Sequence, residues 1–125
     1  MLHIIRSALV PYSTEKMFTL VNNISAYPEF LPGCNAIRVL KQNGSALITE
    51  INVSKAGISK SFTTHNMFTI NKSIVICLVE GPFSYFAANW FFIPLSNEVS
   101  KVDFHLDFAF KNQFIELAFG DVSKK

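Results

Sequence analysis

The strictest constraint on the fold lies in residues 101–110, KVDFHLDFAF. Every second residue from Val102 to Phe110 is apolar. Polar residues occupy the alternate positions: Lys101, Asp103, His105 and Asp107. A period of two predicts a strand with one face buried and the other in water. Such a strand needs a sheet around it and a layer of structure over its apolar face.

The middle of the chain repeats this pattern between turn signals. With the segment above, we predict seven strands, at residues 2–9, 37–41, 47–54, 58–70, 73–79, 83–93 and 101–110. The turns between the middle strands fall at Asn43-Gly44, Ala56-Gly57, Asn71-Lys72 and Gly81-Pro82. Consecutive strands joined by short turns form an antiparallel meander.

Helical spacing occurs at both ends of the meander. Ser13 and Thr14 open a helix whose apolar stripe is Met17, Phe18, Leu20, Val21 and Ile24. A second short helix is predicted from Ser25 to Phe30, and a terminal helix over residues 112–120, ended by Gly120. The predicted class is α+β: one domain over residues 1–125, with about seven strands, two short helices after the first strand and a C-terminal helix.

The composition narrows the functional classes. The thirteen phenylalanines over-supply a small core, so some are expected to line a cavity or a contact surface. A net charge of +2 is too weak to indicate nucleic-acid binding by bulk electrostatics. Cys34 and Cys77 match no metal pattern and are predicted to be buried free thiols. The start of the chain resembles no signal peptide, and no apolar run is long enough to span a membrane. We expect a cytoplasmic protein, with peripheral contact to the inner membrane left open.

No arrangement of side chains in the sequence indicates catalysis. The three histidines, His3, His65 and His105, have no ligand spacing, and the acidic residues form no acid–base pair. Nucleophile-elbow and phosphate-loop patterns are absent from the sequence. We therefore predict no catalytic residue, no bound metal and no required cofactor.

Four separated segments resemble a known family. RSALVPYSTEKMFTLVNNISAYPEFLPGC, SKAGISKSFTTHN, LVEGPF and KVDFHLDFAFKNQFIELAFG occur here in the order found in the RatA and coenzyme Q-binding family. That family belongs to the START-like, helix-grip superfamily. The resemblance covers residue 3 to about residue 120 and is closer to the bacterial RatA branch. It implies a curved antiparallel sheet gripping a C-terminal helix, with a hydrophobic tunnel between them.

The resemblance implies two alternative functions. One is noncatalytic binding of ubiquinone or a related polyprenyl lipid in support of respiration. The other is a ribosome-association toxin that binds the large ribosomal subunit and blocks subunit joining. A cyclase-type enzyme, as found elsewhere in the superfamily, ranks third. Family members normally continue past IELAFG, so we expect a terminal helix shortened after Gly120.

Candidate contacts follow for each alternative. The lip of the cavity is assigned to Tyr27, Phe30, Leu31 and Pro32, although packing of helix on sheet would explain these residues equally well. The cavity lining is assigned to Phe62, Thr64, Trp90, Phe92, Phe104, Leu106, Phe108 and Leu117, with Asn66 beside Thr64 facing a quinone oxygen. The ribosome contacts are assigned to Arg38, Lys41, Lys55 and Lys60. Tyr85, Phe91 and Ile93 are expected to face outward and to favour self-association.

Overall fold

The computed structural model describes residues 1–30, 33–55 and 57–119. Seven strands form one antiparallel sheet in the order β1-β7-β6-β5-β4-β3-β2. The strands are β1 Leu2–Val10, β2 Cys34–Asn43, β3 Ala46–Lys55, β4 Ile58–Thr69, β5 Ser73–Glu80, β6 Phe83–Pro94 and β7 Ser100–Phe110. The helices are α1 Thr14–Asn22, a 3-10 turn Ile24–Ala26, α2 Tyr27–Phe30 and α3 Gln113–Phe119. The predicted α+β class and the seven-stranded antiparallel sheet are confirmed.

Helix α1 begins where its sequence predicts, but two residues of the predicted stripe depart from it. Ile24 lies in the 3-10 turn beyond the end of the helix. The Ser13 hydroxyl caps the helix by accepting a hydrogen bond from the Lys16 backbone N–H at 3.1 Å. The Phe18 ring lies with its centroid 5.7 Å from those of both Phe68 and Phe92. Leu20, predicted to belong to the apolar stripe, is instead 59% exposed. The stripe is therefore narrower than predicted.

The sheet face against which α1 packs is called the inner face below, and its opposite the outer face. The core between α1 and the sheet consists of Phe18, Ile74, Phe92 and Val102. Ser100, at the start of β7, is fully buried and donates from its hydroxyl to the Tyr12 carbonyl at 2.9 Å. This bond fixes the entry to α1 against the sheet. The predicted alternation of β7 is confirmed, because Val102 and Phe108 are buried on the inner face.

The turn signals lie where tight turns form. Gly44 and Gly57 have φ of +60° and +78°, and Asn71 has φ of 62°. These are left-handed conformations, which glycine and asparagine adopt at the least cost. The hairpins are closed by the pairs Asn43↔Ala46 and Lys55↔Ile58.

Two strands depart from simple alternation. Strand β2 has ten residues, rather than the five predicted over 37–41, with register shifts between Cys34 and Ala36 and between Val39 and Lys41. It is an edge strand whose residues are mostly exposed. Its side chains therefore show no regular alternation between buried and exposed positions. In β6, a shift between Phe83 and Tyr85 pairs Phe83 with Phe110 and Tyr85 with Ala109.

Candidate functional site

An aromatic cluster occupies the end of the inner face opposite α1. Neighbouring rings have centroids 5.1–6.1 Å apart, with edge-on, tilted and stacked contacts. The members are Phe62, Phe83, Phe86, Phe108 and Phe110. Strands β4, β6 and β7 each supply part of this cluster. Phe62 and Phe108 are buried within it, whereas Phe83, Phe86 and Phe110 remain partly exposed.

A second aromatic group lies between this cluster and α1. The Trp90 ring lies 4.5 Å from Phe104 and 6.5 Å from Phe92 by centroid. Trp90, Phe104 and Leu106 are partly exposed on the inner face, as expected for a lining residue. Phe92 is 3% exposed and belongs to the core under α1. Helix α1 therefore covers Phe92, which was predicted to line the cavity.

Three buried polar residues lie side by side on the inner face of β3 and β4. Thr49 and Thr64 are fully buried and Asn66 is 6% exposed. The Thr64 hydroxyl lies 2.7 Å from the Thr49 hydroxyl and donates to Asn66 Oδ1 at 2.8 Å. Strand pairing of Thr49 with Thr64 brings the two hydroxyls together. These bonds satisfy most of the polar atoms that the sheet would otherwise bury unpaired.

The remaining predicted cavity residues are either exposed or outside the described part of the chain. Leu117 on α3 is 82% exposed, so its assignment to the lining is corrected. Its helix offers only one partly buried apolar residue, Ile115, among those described. Leu31 and Pro32 lie outside the described residues, as do the side chains of Tyr27 and Phe30.

Helix α3 and the start of β4 border a small open cleft. The cleft has a volume of about 210 Å³. It is lined by Ile58, Lys60, Asn112, Phe114 and Ile115. Ligand sites for drug-sized molecules usually enclose about 300–1,000 Å³, so this cleft alone is too small to hold a polyprenyl quinone.

The three histidines lie away from the inner face. His3 binds Asp107 across β1 and β7, and the His105 ring contacts Phe91 on the outer face. Burial raises the pKa of the Cys34 thiol, which is a free cysteine. Within residues 1–30, 33–55 and 57–119, no group of three His, Cys, Asp or Glu is placed to hold a metal ion. Over the same ranges, no helix is both long and apolar enough to cross a membrane.

Some site residues escaped prediction. Phe83 has an odd residue number, like the outward-facing Tyr85, so simple alternation places its side chain on the outer face. The bulge in β6 reverses that placement, and bulges leave no mark in an alternating pattern. Phe86 and Phe110 lie on the apolar side of their strands and could have been found from alternation alone. Finding Thr49 required the register of β3 against β4, which the hairpin closed by Lys55 and Ile58 specifies.

The comparisons with known proteins agree with this geometry. The family described as polyketide cyclase/dehydrase and lipid transport matches residues 10–125. The ribosome association toxin RatA of Escherichia coli K12 is 52% identical over 120 residues, covering 96% of this chain and 76% of that protein.

Two solved structures share the fold. A START superfamily protein from Mycobacterium smegmatis has a TM-score of 0.78 at 19% identity, over 99% of this chain and 90% of that one. The Zhui aromatase/cyclase from Streptomyces sp. R1128 also has a TM-score of 0.78, at 16% identity, over 97% of this chain and 78% of that one. The sheet with its C-terminal helix is thus the helix-grip fold, and the resemblance to RatA proteins is confirmed. The chain belongs to the START-like polyketide cyclase/dehydrase and lipid transport family.

Proposed function

We propose that this protein associates with the ribosome, binding the large subunit and blocking subunit joining. The observation that carries the proposal is the 52% identity over 120 residues to a protein named ribosome association toxin RatA. The likeness to an aromatase/cyclase is at 16% identity and supports the fold alone. No described cluster of acidic and basic groups on the inner face favours catalysis, so we propose a noncatalytic protein.

The distribution of charge supports a ribosomal contact on one half of the sheet. Residues 34–69, which form β2, β3 and β4, contain four basic residues and one acidic residue, a net charge of +3. The rest of the chain contains seven basic and eight acidic residues, a net charge of −1. The small overall charge therefore conceals a basic half of the sheet. Arg38 and Lys41 lie toward its outer face, whereas Lys60 lines the inner-face cleft. Positive surface of this kind attracts phosphate groups.

The outer face of this half has the chemistry of a phosphate-contacting surface. Exposed amides and hydroxyls of neighbouring strands bind one another there, as in the bonds from Asn52 Nδ2 to the hydroxyls of Ser59 at 3.3 Å and Ser61 at 3.1 Å. Arg38 pairs with Glu50 at 2.9 Å, while Lys41 is exposed on the same edge. Such side chains contact nucleic-acid backbones together with arginine and lysine.

Co-sedimentation with purified ribosomal subunits tests this proposal. We expect the protein to pellet with the large subunit at low salt and to be released as salt rises, because counterion release makes phosphate binding salt-dependent. Lys41→Glu should weaken the binding by several-fold. Lys72→Glu, a matched reversal of an exposed lysine in the β4–β5 turn, should have a smaller effect.

Two results would oppose the ribosome proposal. If the protein fails to pellet with large subunits even at low salt, ribosome association is wrong. If it pellets but both charge reversals act equally, association stands and the basic half of the sheet is not the contact. A subunit-joining assay read by sucrose gradient then tests whether bound protein blocks assembly of the 70S particle.

A second candidate function is binding of a hydrophobic ligand, ubiquinone or a related polyprenyl lipid, in support of respiration. The partly exposed rings of Trp90, Phe104 and Phe86 on the inner face favour it, since such rings line apolar ligand sites. Solvent extraction of purified protein followed by mass spectrometry is the direct test. Trp90 is the single tryptophan, so added ubiquinone should quench its fluorescence. No extracted lipid and no quenching would exclude this function.

Both candidate functions are compatible with a cytoplasmic location. Ribosomes and the cytoplasmic surface of the inner membrane are both reachable from that compartment. We propose a cytoplasmic protein whose contact with the inner membrane, if a polyprenyl lipid is the ligand, is peripheral. Fractionation of cells into cytosol, ribosomes and membranes would test the location directly.

A further inference from the structure

The polar chain on the inner face has a defined direction. The Thr64 hydroxyl hydrogen is committed to Asn66 Oδ1. Because a hydroxyl has one hydrogen, Thr49 must then be the donor in its bond to Thr64. Donation therefore runs from Thr49 through Thr64 to Asn66, and the carboxamide oxygen of Asn66 is occupied. The Nδ2 group, with two hydrogens, is the end of the chain.

The Nδ2 group of Asn66 is left to donate to something else. Among the hydrogen bonds of the described residues, none uses this nitrogen. Yet no fully enclosed side-chain nitrogen or oxygen in that part of the chain lacks a partner. Since Nδ2 has no partner, it must therefore belong to the exposed part of Asn66, which is 6% of the residue, rather than to packed protein. A donor held in this way costs free energy unless an acceptor meets it.

The surroundings of Asn66 are apolar. Its cross-strand neighbours are Leu47 on β3 and Ile76 on β5. The same row continues through Ala88 to Leu106. Ala88 has the smallest side chain of the row and lies between larger ones. Side chains of the sheet therefore fill less of the space above the inner face at this point. No charged residue belongs to the row, so the acceptor that suits it is neutral.

We propose that Asn66 Nδ2 is the hydrogen-bond donor that orients an apolar ligand carrying a carbonyl-type oxygen on the inner face. Thr64 and Thr49 are positioning residues, because they hold the carboxamide oxygen and so aim the nitrogen. The ligand class is a ketone, quinone or ester with a hydrocarbon body. This inference rests on the second candidate function and is independent of ribosome association.

A pair of isosteric probes tests the donor. 2-Acetylnaphthalene and 2-isopropenylnaphthalene share a ring system and differ by a carbonyl oxygen in place of a methylene. Calorimetric titration of the wild-type protein should show the ketone binding about 2- to 12-fold more tightly, which is the range for one neutral hydrogen bond. Asn66→Leu should bind both probes equally. Thr64→Val should reduce the preference, since the carboxamide loses its anchor.

Asn89→Leu is the matched control, because it makes the same substitution on the outer face of β6. It should keep the wild-type preference, and circular dichroism should show that every variant is folded. Equal binding of both probes by the wild type, or a preference that survives Asn66→Leu, would overturn this inference alone. Binding of neither probe would overturn both the inference and the second candidate function.

Discussion

Cys34 shows how burial alone controls the chemistry of a side chain. Its thiol is 8% exposed at the start of β2, with the Ala36 carbonyl 4.0 Å from its sulfur. Desolvation disfavours the thiolate and so raises the pKa. The thiolate is the reactive form, so Cys34 is protected both by access and by protonation. Cys77, on the outer face of β5, is partly exposed.

We expect alkylating reagents to label Cys77 before Cys34. A raised pKa in the folded state means that the neutral thiol stabilises the fold at low pH. This contribution is present below the unfolded thiol pKa and is lost as pH rises through the higher folded value. The free energy of unfolding should therefore fall more steeply above pH 9.0 in the wild type than in Cys34→Ala. Mass spectrometry after timed labelling and urea titrations at several pH values measure both effects. Equal labelling of the two cysteines would contradict this expectation.

At the same scale, the sequence predicts where the polar residues of the site lie but not how they bond. Alternation in β4 places Thr64 and Asn66 on the inner face with Phe62. The bond from Thr49 depends on the register between two strands and on the rotamers of two hydroxyls. Neither is encoded in the periodicity of a single segment, so the direction of the hydrogen-bond chain became visible only in three dimensions.

At the scale of elements, strands with one buried face were the most predictable. The bounds of β3, β4, β5, β6 and β7 agree with the alternating segments within a few residues. Failures occur where burial does not dictate the pattern. Strand β2 is an exposed edge, the bulge in β6 changes face within a strand, and α3 presents Phe114 and Leu117 to solvent at 83% and 82% exposure. Helical spacing in α3 predicted the element correctly but not what its apolar residues contact.

The connection between β5 and β6 depends on a glycine. A Cβ atom at Gly81 would lie 2.4 Å from Phe62 Cβ and 3.3 Å from Phe62 Cα. Relief would require β4 itself to move, because these atoms are held by the backbone. We expect Gly81→Ala to lower the free energy of unfolding by about 2–3 kcal/mol through overpacking. Urea denaturation followed by circular dichroism gives this value.

Gly44→Ala is the matched comparison for this prediction. Gly44 has φ of +60°, and a Cβ atom there would meet no other atom within 4 Å, so alanine introduces backbone strain without a clash. Its cost should be about 1 kcal/mol. If Gly81→Ala costs no more than Gly44→Ala, close packing against Phe62 is not what fixes glycine at this position.

At the scale of the whole molecule, charge and apolar surface are segregated. The net positive charge is concentrated in the half of the sheet formed by β2, β3 and β4. On the outer face of the other half, β6 exposes Tyr85 at 46%, Phe91 at 37% and Ile93 at 38%. Edge strand β1 adds Ile5 and Leu9, which are 64% and 72% exposed. The outward orientation predicted for the β6 residues agrees with these exposures. The polar outer row of β7 separates the β1 residues from those of β6. The three neighbouring apolar residues of β6 are the surface that marks a candidate interaction site.

We expect this apolar surface to produce concentration-dependent self-association. Two copies can oppose the same patch across a two-fold axis, which removes apolar area from water on both at once. Light scattering coupled to gel filtration, without detergent, should show a mass above one chain that falls on dilution. Replacing Phe91 by Ser together with Ile93 by Lys should shift the protein to monomer. Leu20→Lys, at an isolated exposed leucine on α1, should leave the mass unchanged. A wild-type protein that stays monomeric at every concentration and binds no hydrophobic dye would show that these side chains are tolerated in water singly and do not act as a surface.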